Sequence, residues 1–273
     1  MVFLKAIKRT EYEANFEEYP LSLPQIAAIE RLEFSAPVTL LAGDNGSGKT
    51  TLVELIAALT SAVRIGDARA SLRAKEQFSQ AVKAFRPEFT HKPKRNFFFL
   101  AEDFTRYIDE REDRMREEAE ELRRIEREYD GRSGYAKDLA RMPHASGLSA
   151  MKNMYGGELG EQSHGEGYID FFGSRLQPQG LYLMDEPEGA LSYYNQYVLM
   201  NMIADAVKRD CQFILSTHSP ILLAYPGASL YAFSEGQLTE TSFGALENIS
   251  FLRDFLAEPQ RYLRRLGKDE DDE

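Results

Sequence analysis

The sequence predicts an α/β protein with a mainly parallel central sheet, and three observations predict it. Mainly apolar runs (Val38–Ala42, residues 97–101, 180–184 and 212–216) alternate with helical patterns, as expected of strands buried on both faces. A glycine-rich loop of phosphate-binding type joins the first of these runs to a helix. Paired carboxylates or a histidine follow the later runs, at strand carboxyl ends, the ligand-facing edge of open α/β sheets.

The elements follow in order. Residues 2–8 alternate apolar and polar positions and read as a first strand. Residues 11–23 are aromatic and acidic, and Pro20 and Pro24 mark irregular backbone. Residues 26–34 lead toward the strand Val38–Ala42. A helical pattern occupies 51–59, and 68–85 reads as a second helix or a surface segment. Residues 87–95 are expected to form a basic loop. The strand 97–101 ends in Glu102 and Asp103. From 108 to 129, Ile108, Met115, Leu122 and Tyr129 recur every seven residues and Ile125 joins the stripe. This predicts an amphipathic helix with a narrow seam, packed on the domain or acting as a protein-contact arm. Residues 131–157, rich in Gly, Ser and Met, are expected to be a loop. A helix over 168–175, the strand 180–184, a long helix over 190–208 and the strand 212–216 complete the pattern.

The chain has 273 residues, 43% hydrophobic and 28% charged, which suits one large globular α/β domain with an inserted subdomain. The expected division is an α/β core over 1–105 and 161–260, a helical and loop insertion over 106–160, and an acidic tail over 261–273. No apolar run approaches a membrane span of about 18 residues. The start Met1-Val2-Phe3-Leu4-Lys5 lacks the apolar core of a signal peptide. The single cysteine, Cys211, adjoins a core strand and reads as a buried small hydrophobe. These features predict a cytoplasmic protein. A net charge of −11 argues against broad nucleic-acid binding but leaves room for a local basic patch.

Gly43, Asp44, Asn45, Gly46, Ser47, Gly48, Lys49 and Thr50 fit G-x-x-x-x-G-K-[ST]. Glycines allow positive φ and close backbone approach to a polyphosphate. Loop amides and the free N–H groups of the helix start, from Thr50 and Thr51 onward, then face phosphate oxygens. Lys49 brings positive charge to the β- and γ-phosphates, and the Thr50 hydroxyl suits Mg2+. Asp185 and Glu186 follow the strand 180–184. There Asp185 would hold Mg2+ together with Thr50, and Glu186 would polarise the attacking water. His218 follows another strand, within reach of a γ-phosphate. Ser163, His164, Gly165, Glu166 and Gly167 precede a helix start, a second anion-binding end. One subunit already cradles its phosphates with 43–50, so this second end makes sense facing the γ-phosphate of a neighbour.

These elements, in this order, resemble the ABC-type ATPase fold: Walker A at 43–50, Q-loop near 102, signature at 163–167, Walker B at 181–186, D-loop at 189–192, switch histidine at 218. Glu186-Pro187-Glu188 and Ser216-Thr217-His218-Ser219-Pro220 are more similar to the SMC, RecF and OLD-type ATPases than to transporter ATPases. The segments 161–166 and 220–227 resemble small stand-alone bacterial proteins often described as AAA-family ATPases. The resemblance implies a P-loop fold with an antiparallel β edge and a dimer that sandwiches two ATP molecules. Each ATP would touch Lys49 and Thr50 of one subunit and Ser163 and Gly165 of the other, with Glu166 alongside. ATP and Mg2+ are the implied ligands, and DNA or a nuclease-like protein effector the implied partner. Two departures stand out: His164 and Glu166 replace a glycine and a glutamine of the signature, and Glu102 stands where the Q-loop glutamine is expected, still able to meet Mg2+ or water. Tyr12, Phe16 and Tyr19 are candidates for adenine stacking. Competing readings are a transporter's nucleotide-binding subunit with a separate membrane partner, a GTPase or kinase, and a switch that binds nucleotide with negligible turnover. Asn-Lys-x-Asp, the guanine-reading motif, is absent, and His218 is not needed by a GTPase or kinase.

Overall fold

The computed structural model describes residues 1–64, 77–130, 133–153, 169, 171–173, 175–189, 191–234 and 236–264, with backbone alone for 102–112 and 147–153. In chain order the elements are β1 (Leu4–Arg9), α1 (Pro24–Ala27), β2 (Arg31–Glu33), β3 (Val38–Ala42), α2 (Lys49–Thr60), β4 (Val63–Arg64), α3 (Ser79–Ala84), β5 (Phe85–Phe89), β6 (Arg95–Leu100), α4 (Ala101–Glu128) and α5 (Gly134–Asn153). There follow β7 (Gly180–Asp185), α6 (Tyr193–Lys208), β8 (Gln212–Ser216), α7 (Pro220–Leu223), β9 (Ser229–Ser234), β10 (Gln237–Thr241), α8 (Glu247–Ala257) and α9 (Pro259–Leu263).

The described strands form two sheets. The central one runs β10-β9-β3-β8-β7-β6-β4. It is parallel from β9 to β4, and β10 adds an antiparallel edge. The smaller, antiparallel sheet runs β2-β1-β5. Strand alternation sends side chains to opposite faces, and both faces of the central sheet are buried. Val38, Leu40, Phe99, Tyr182, Met184, Phe213 and Leu215 pack with Leu199 and Ile203 of α6. Leu41, Phe98, Leu100, Leu181, Leu183 and Ile214 pack with Leu52, Val53 and Ile56 of α2 and with Leu4 and Ile7 of the small sheet. The fold is thus the expected α/β class with a mostly parallel sheet and antiparallel strands.

A buried glutamine ties the two sheets. Gln212 Oε1 accepts from the main-chain N–H of Phe3 (2.7 Å) and Leu4 (2.8 Å), and its Nε2 donates to the Leu4 carbonyl (2.9 Å). These groups have no strand partner at that point, so the side chain supplies it.

The structure departs from the sequence reading in several places. Residues 31–33 do not run on into β3; β2 pairs with β1 in the small sheet. Residues 85–89 are β5 rather than the start of a basic loop. Arg9 lies opposite Phe85 and Ile7 opposite Pro87. Pro87 is tolerated because β5 is an edge strand. Of 68–85, residues 68–76 lie outside the described part, and α3 covers only Ser79–Ala84. Helix α6 begins at Tyr193, later than 190, where the Ser192 hydroxyl caps it by accepting from Asn195 N–H (3.2 Å). Within 168–175, residues 171–173 are helical, and Phe171 and Phe172 pack against Phe99.

The largest difference is α5, where the sequence suggested a loop. It runs back along α4. Glu118 meets His144 Nδ1 at 2.6 Å and Glu126 meets Arg141 at 3.6 Å. Its half-buried face carries Ala136, Ala140 and His144, small or polar groups that leave no apolar stripe to read, while Tyr135, Leu139 and Met142 point outward. Its contacts with α4, the Glu118–His144 and Glu126–Arg141 pairs among them, hold this helix despite Gly134 and Pro143.

Candidate functional site

Strand β3 passes into α2 through residues 43–48. Gly43, Gly46 and Gly48 hold φ of 148°, 78° and 97°, conformations that L-residues with a Cβ resist. At Gly43 a Cβ would lie 2.8 Å from the Phe233 side chain, and at Gly48 2.5 Å from Gln25 Nε2. Gln25 donates to the Ser47 carbonyl and braces the loop from outside. The start of α2 has no side-chain cap, so its first amides are left to face an anion. Lys49 Nζ donates to the carbonyls of Gly43 and Asp44, both at 2.8 Å. Burial pushes the Lys49 ammonium down from its usual range, and Glu186, Asp185, Asp44 and Glu188 pull against that.

The neighbouring strands bring their ends into line with this loop. Leu41 of β3 lies beside Ser216 of β8, Ser216 beside Asp185 of β7, and Asp185 beside Leu100 of β6. Asp185 is buried, and its carboxylate accepts from the hydroxyls of Ser216 and Thr50. Burial pushes this carboxyl above the usual carboxylate range, only partly offset by those two hydrogen bonds. Glu186 holds φ of 46°, an unusual conformation for a residue with a side chain and one that clusters at functional sites. Its N–H donates to the Ser216 carbonyl at 3.0 Å. Its Oε1 stands 3.3 Å from His218 Nε2. That is ion-pair distance without hydrogen-bond alignment, and Nε2 is buried with no hydrogen-bond partner.

Tyr19, Lys49, Thr50, Thr51, Asp185 and Glu186 line a cleft of about 670 Å3, and His218 stands behind Glu186. Of the three aromatic candidates, Tyr19 reaches it, its hydroxyl 2.9 Å from Thr51 Oγ1. Tyr12 instead lies by Lys83, and Phe16 under the Arg9 guanidinium. Asp44 and Asn45 are exposed on the loop, and Ser47 Oγ is buried without a partner. The structure therefore brings together residues 43–51, Asp185, Glu186 and His218. Glu102 sits in the first turn of α4, directly after β6; its side chain lies outside the described residues. Ser163, His164, Gly165 and Glu166 also lie outside them.

The donor set fits Mg2+. This hard ion takes one or two protein oxygens and completes its shell with water and phosphate. Thr50 Oγ and the Asp185 carboxylate, already in contact, are such a pair. No group of three His, Cys, Asp or Glu gathers among the described residues, and a Mg2+ site shared with phosphate needs none.

Sequence reasoning missed Gln25 and Ser216, which brace the loop and Asp185. It also missed Glu188, whose Oε1 accepts from Thr217 Oγ1 (2.7 Å), His218 N–H (2.6 Å) and Ser219 N–H (3.1 Å). The sequence signal for Glu188 was its place in Glu186-Pro187-Glu188, a segment that carried a family likeness but assigned this residue no role.

Residues 24–152 match a family model described as an AAA domain. No curated protein matches the chain. Among solved structures, the Smc head domain with an extended coiled coil bound to the C-terminal domain of ScpA, from Pyrococcus furiosus, is 12% identical, with 98% of this chain and 100% of that chain covered and a TM-score of 0.47. A nucleotide-free ATP-binding cassette from an ABC transporter is 18% identical, with 98% and 100% covered and a TM-score of 0.45. The SMC head domain from Thermotoga maritima is 14% identical, with 88% and 98% covered and a TM-score of 0.43. Over residues 24–152 the chain is thus similar to an AAA domain, and its loop at 43–50 has the sequence and the backbone of a P-loop.

Proposed function

We propose that the protein binds Mg-ATP in the cleft at the carboxyl edge of the central sheet, hydrolyses it, and uses the cycle to join and release a second copy of itself. The observation that carries this reading is the convergence of Lys49, Thr50, Asp185, Glu186 and His218 from three neighbouring strand ends. Lys49 would exchange the carbonyls of Gly43 and Asp44 for the terminal phosphates. Thr50 and Asp185 would hold Mg2+, which when bound neutralises phosphate charge. Glu186 would orient and polarise the attacking water. The free Nε2 of His218 is a hydrogen-bond donor or acceptor awaiting the γ-phosphate, 3.3 Å from that base.

Association is supported by a surface beside the site. Tyr193, Tyr194 and Tyr197, at the start of α6 and next to the segment 189–192, are 74%, 75% and 53% exposed. Such a cluster of exposed aromatics favours a partner surface over water. Ser163, Gly165 and Glu166 are the proposed contacts to the neighbour's ATP, and Glu102 a further ligand to Mg2+ or water. The motion is proposed to act on DNA or on a protein effector. The exposed basic run His91, Lys92, Lys94 and Arg95 at the opposite sheet edge suits an anionic partner. No described helix is long and apolar enough to cross a membrane, so the transporter reading requires a separate membrane subunit. The buried, unpaired Cys211 accords with a cytoplasmic setting.

The test is the solution mass of Glu186→Gln by light scattering, with and without Mg-ATP. The reading expects 31.1 kDa without nucleotide and twice that with it. ATP binding at constant mass would remove the association step and leave a nucleotide switch acting on another protein.

A further inference from the structure

We propose that Glu188 is a positioning residue that sets the switch histidine, His218, against the catalytic carboxylate of Glu186; the inference rests on the hydrolytic reading above. Strand β8 ends at Ser216, and Thr217 N–H makes one more bond to β3, to the Leu41 carbonyl at 3.1 Å. Two of the next amides, those of His218 and Ser219, donate to a single oxygen, Glu188 Oε1, and the Thr217 hydroxyl donates to the same atom. A carboxylate suits this task, because an ionised acceptor takes several donors at short distance. The turn is pinned from its other end as well. Ser219 Oγ donates to Gln196 Oε1 at 2.7 Å, and Gln196 Nε2 donates to the Leu191 carbonyl at 2.9 Å.

Glu188 lies in the connection between β7 and α6 that also carries Glu186, and Gln196, in the first turns of α6, is tied to that connection through Leu191. Gly189 N–H donates to the Glu186 carbonyl (3.0 Å) and Leu191 N–H to that of Glu188 (2.8 Å), which makes the connection a tight, self-bonded turn. One short segment thus presents the Glu186 carboxylate to the imidazole of His218 and the Glu188 carboxylate to its main chain. A displacement of one is carried to the other. The second oxygen, Glu188 Oε2, is buried with no partner. An unpaired buried carboxylate oxygen costs stability, so stability alone is a poor reason for this side chain, whereas positioning accounts for it.

The test compares Glu188→Ala, Glu188→Gln, His218→Ala and the double variant Glu188→Ala/His218→Ala in the full chain, by steady-state ATP hydrolysis and by binding of a fluorescent ATP analogue. Glu188→Ala should lower kcat by about 100-fold, the cost of misplacing a reacting group by about 1 Å. Its KM and analogue affinity should stay within about twofold, since ground-state binding is untouched. Glu188→Gln keeps an oxygen for the three donors and should recover most of the lost kcat. The double variant should be no slower than His218→Ala, because Glu188 acts through His218. Additive losses in the double variant, or full turnover in Glu188→Ala, would overturn the proposal while leaving the ATPase reading intact. Full turnover in His218→Ala would overturn the proposal and the role given to His218, whereas no turnover in the unaltered chain would overturn the hydrolytic reading itself. If Glu188→Ala fails to fold, Glu188→Asp withdraws the carboxylate by one methylene with its charge kept; a loss of kcat at constant KM supports positioning, and unchanged kcat refutes it.

Discussion

At the residue scale, the cleft sets buried charge against buried charge. Lys49 makes two 2.8 Å contacts to loop carbonyls that phosphate oxygens would replace. Lys49→Ala removes the only charged donor at that point of the loop among the described residues, and Mg-ATP affinity should fall by about 100-fold or more, as expected for lost charge-assisted hydrogen bonds. Equilibrium binding of a fluorescent ATP analogue measures it, and unchanged affinity would refute the phosphate-loop role. Glu186→Gln keeps the side-chain shape and loses the base, so binding should persist while hydrolysis slows by about 10²–10⁴; single-turnover phosphate release is the readout. Asp185 carries a stability cost with a defined sign. Burial raises its folded pKa above the unfolded value. Its contribution to stability is therefore fully present below the unfolded pKa and is lost as pH rises through the folded pKa. At neutral pH the ionised carboxylate is a burden that Mg2+ would relieve. Asp185→Asn should thus raise the urea midpoint of the nucleotide-free protein at neutral pH, lose that advantage on acidification below the ordinary carboxylate range, and abolish Mg2+-dependent nucleotide binding.

At the scale of elements, the parallel ladder turns sequence position into chemical proximity. Leu41, Ser216, Asp185 and Leu100 lie abreast, so each residue just beyond them opens onto one edge. The phosphate loop and the Asp185–Glu186 turn are therefore fixed by strand register rather than by contacts of their own. The link between sheets is narrower. Gln212 serves two amides and one carbonyl of β1, and Gln212→Ala strands those groups in the core. The expected loss is about 3 kcal/mol, from buried donors left without acceptors. Urea denaturation should show it as a lower midpoint at unchanged slope; a shift of only a few tenths of a kcal/mol would mean that water or a side chain replaces the amide. The α4–α5 hairpin shows the reverse case, a helix legible only in its partner. Ala136, Ala140 and His144 give no apolar period, yet they form its half-buried face, where Glu118 of α4 meets His144.

At the scale of the whole molecule, the described chain presents two unlike edges. The carboxyl edge of the central sheet holds the cleft and the exposed tyrosines of α6, while the opposite edge carries the basic run 91–95 of a chain whose net charge is −11. A second copy is proposed to meet the first edge and an anionic partner the other. The mass doubling of Glu186→Gln with Mg-ATP belongs to this scale. It should need the nucleotide, and it should be reduced by Tyr193→Ala/Tyr194→Ala if the aromatic surface is covered in the dimer. A nucleotide-independent dimer would mean that this surface serves a constitutive contact.

By itself the sequence determined the parts whose chemistry is local. A phosphate loop needs glycines at positive φ, a lysine and a hydroxyl at fixed spacing, and all are consecutive in residues 43–50. Buried parallel strands need mainly apolar runs, and Val38–Ala42, Gly180–Asp185 and Gln212–Ser216 show them. Glu186 and His218 could be read because each directly follows such a run. Only the tertiary structure decided what depends on groups far apart in the chain. Glu188 grips a turn about thirty residues on, Gln212 serves β1 from more than two hundred residues away, and Tyr19 rather than Tyr12 or Phe16 reaches the cleft. A hydrogen bond between distant residues leaves no periodicity or composition behind it, because its geometry exists only once the strands have paired.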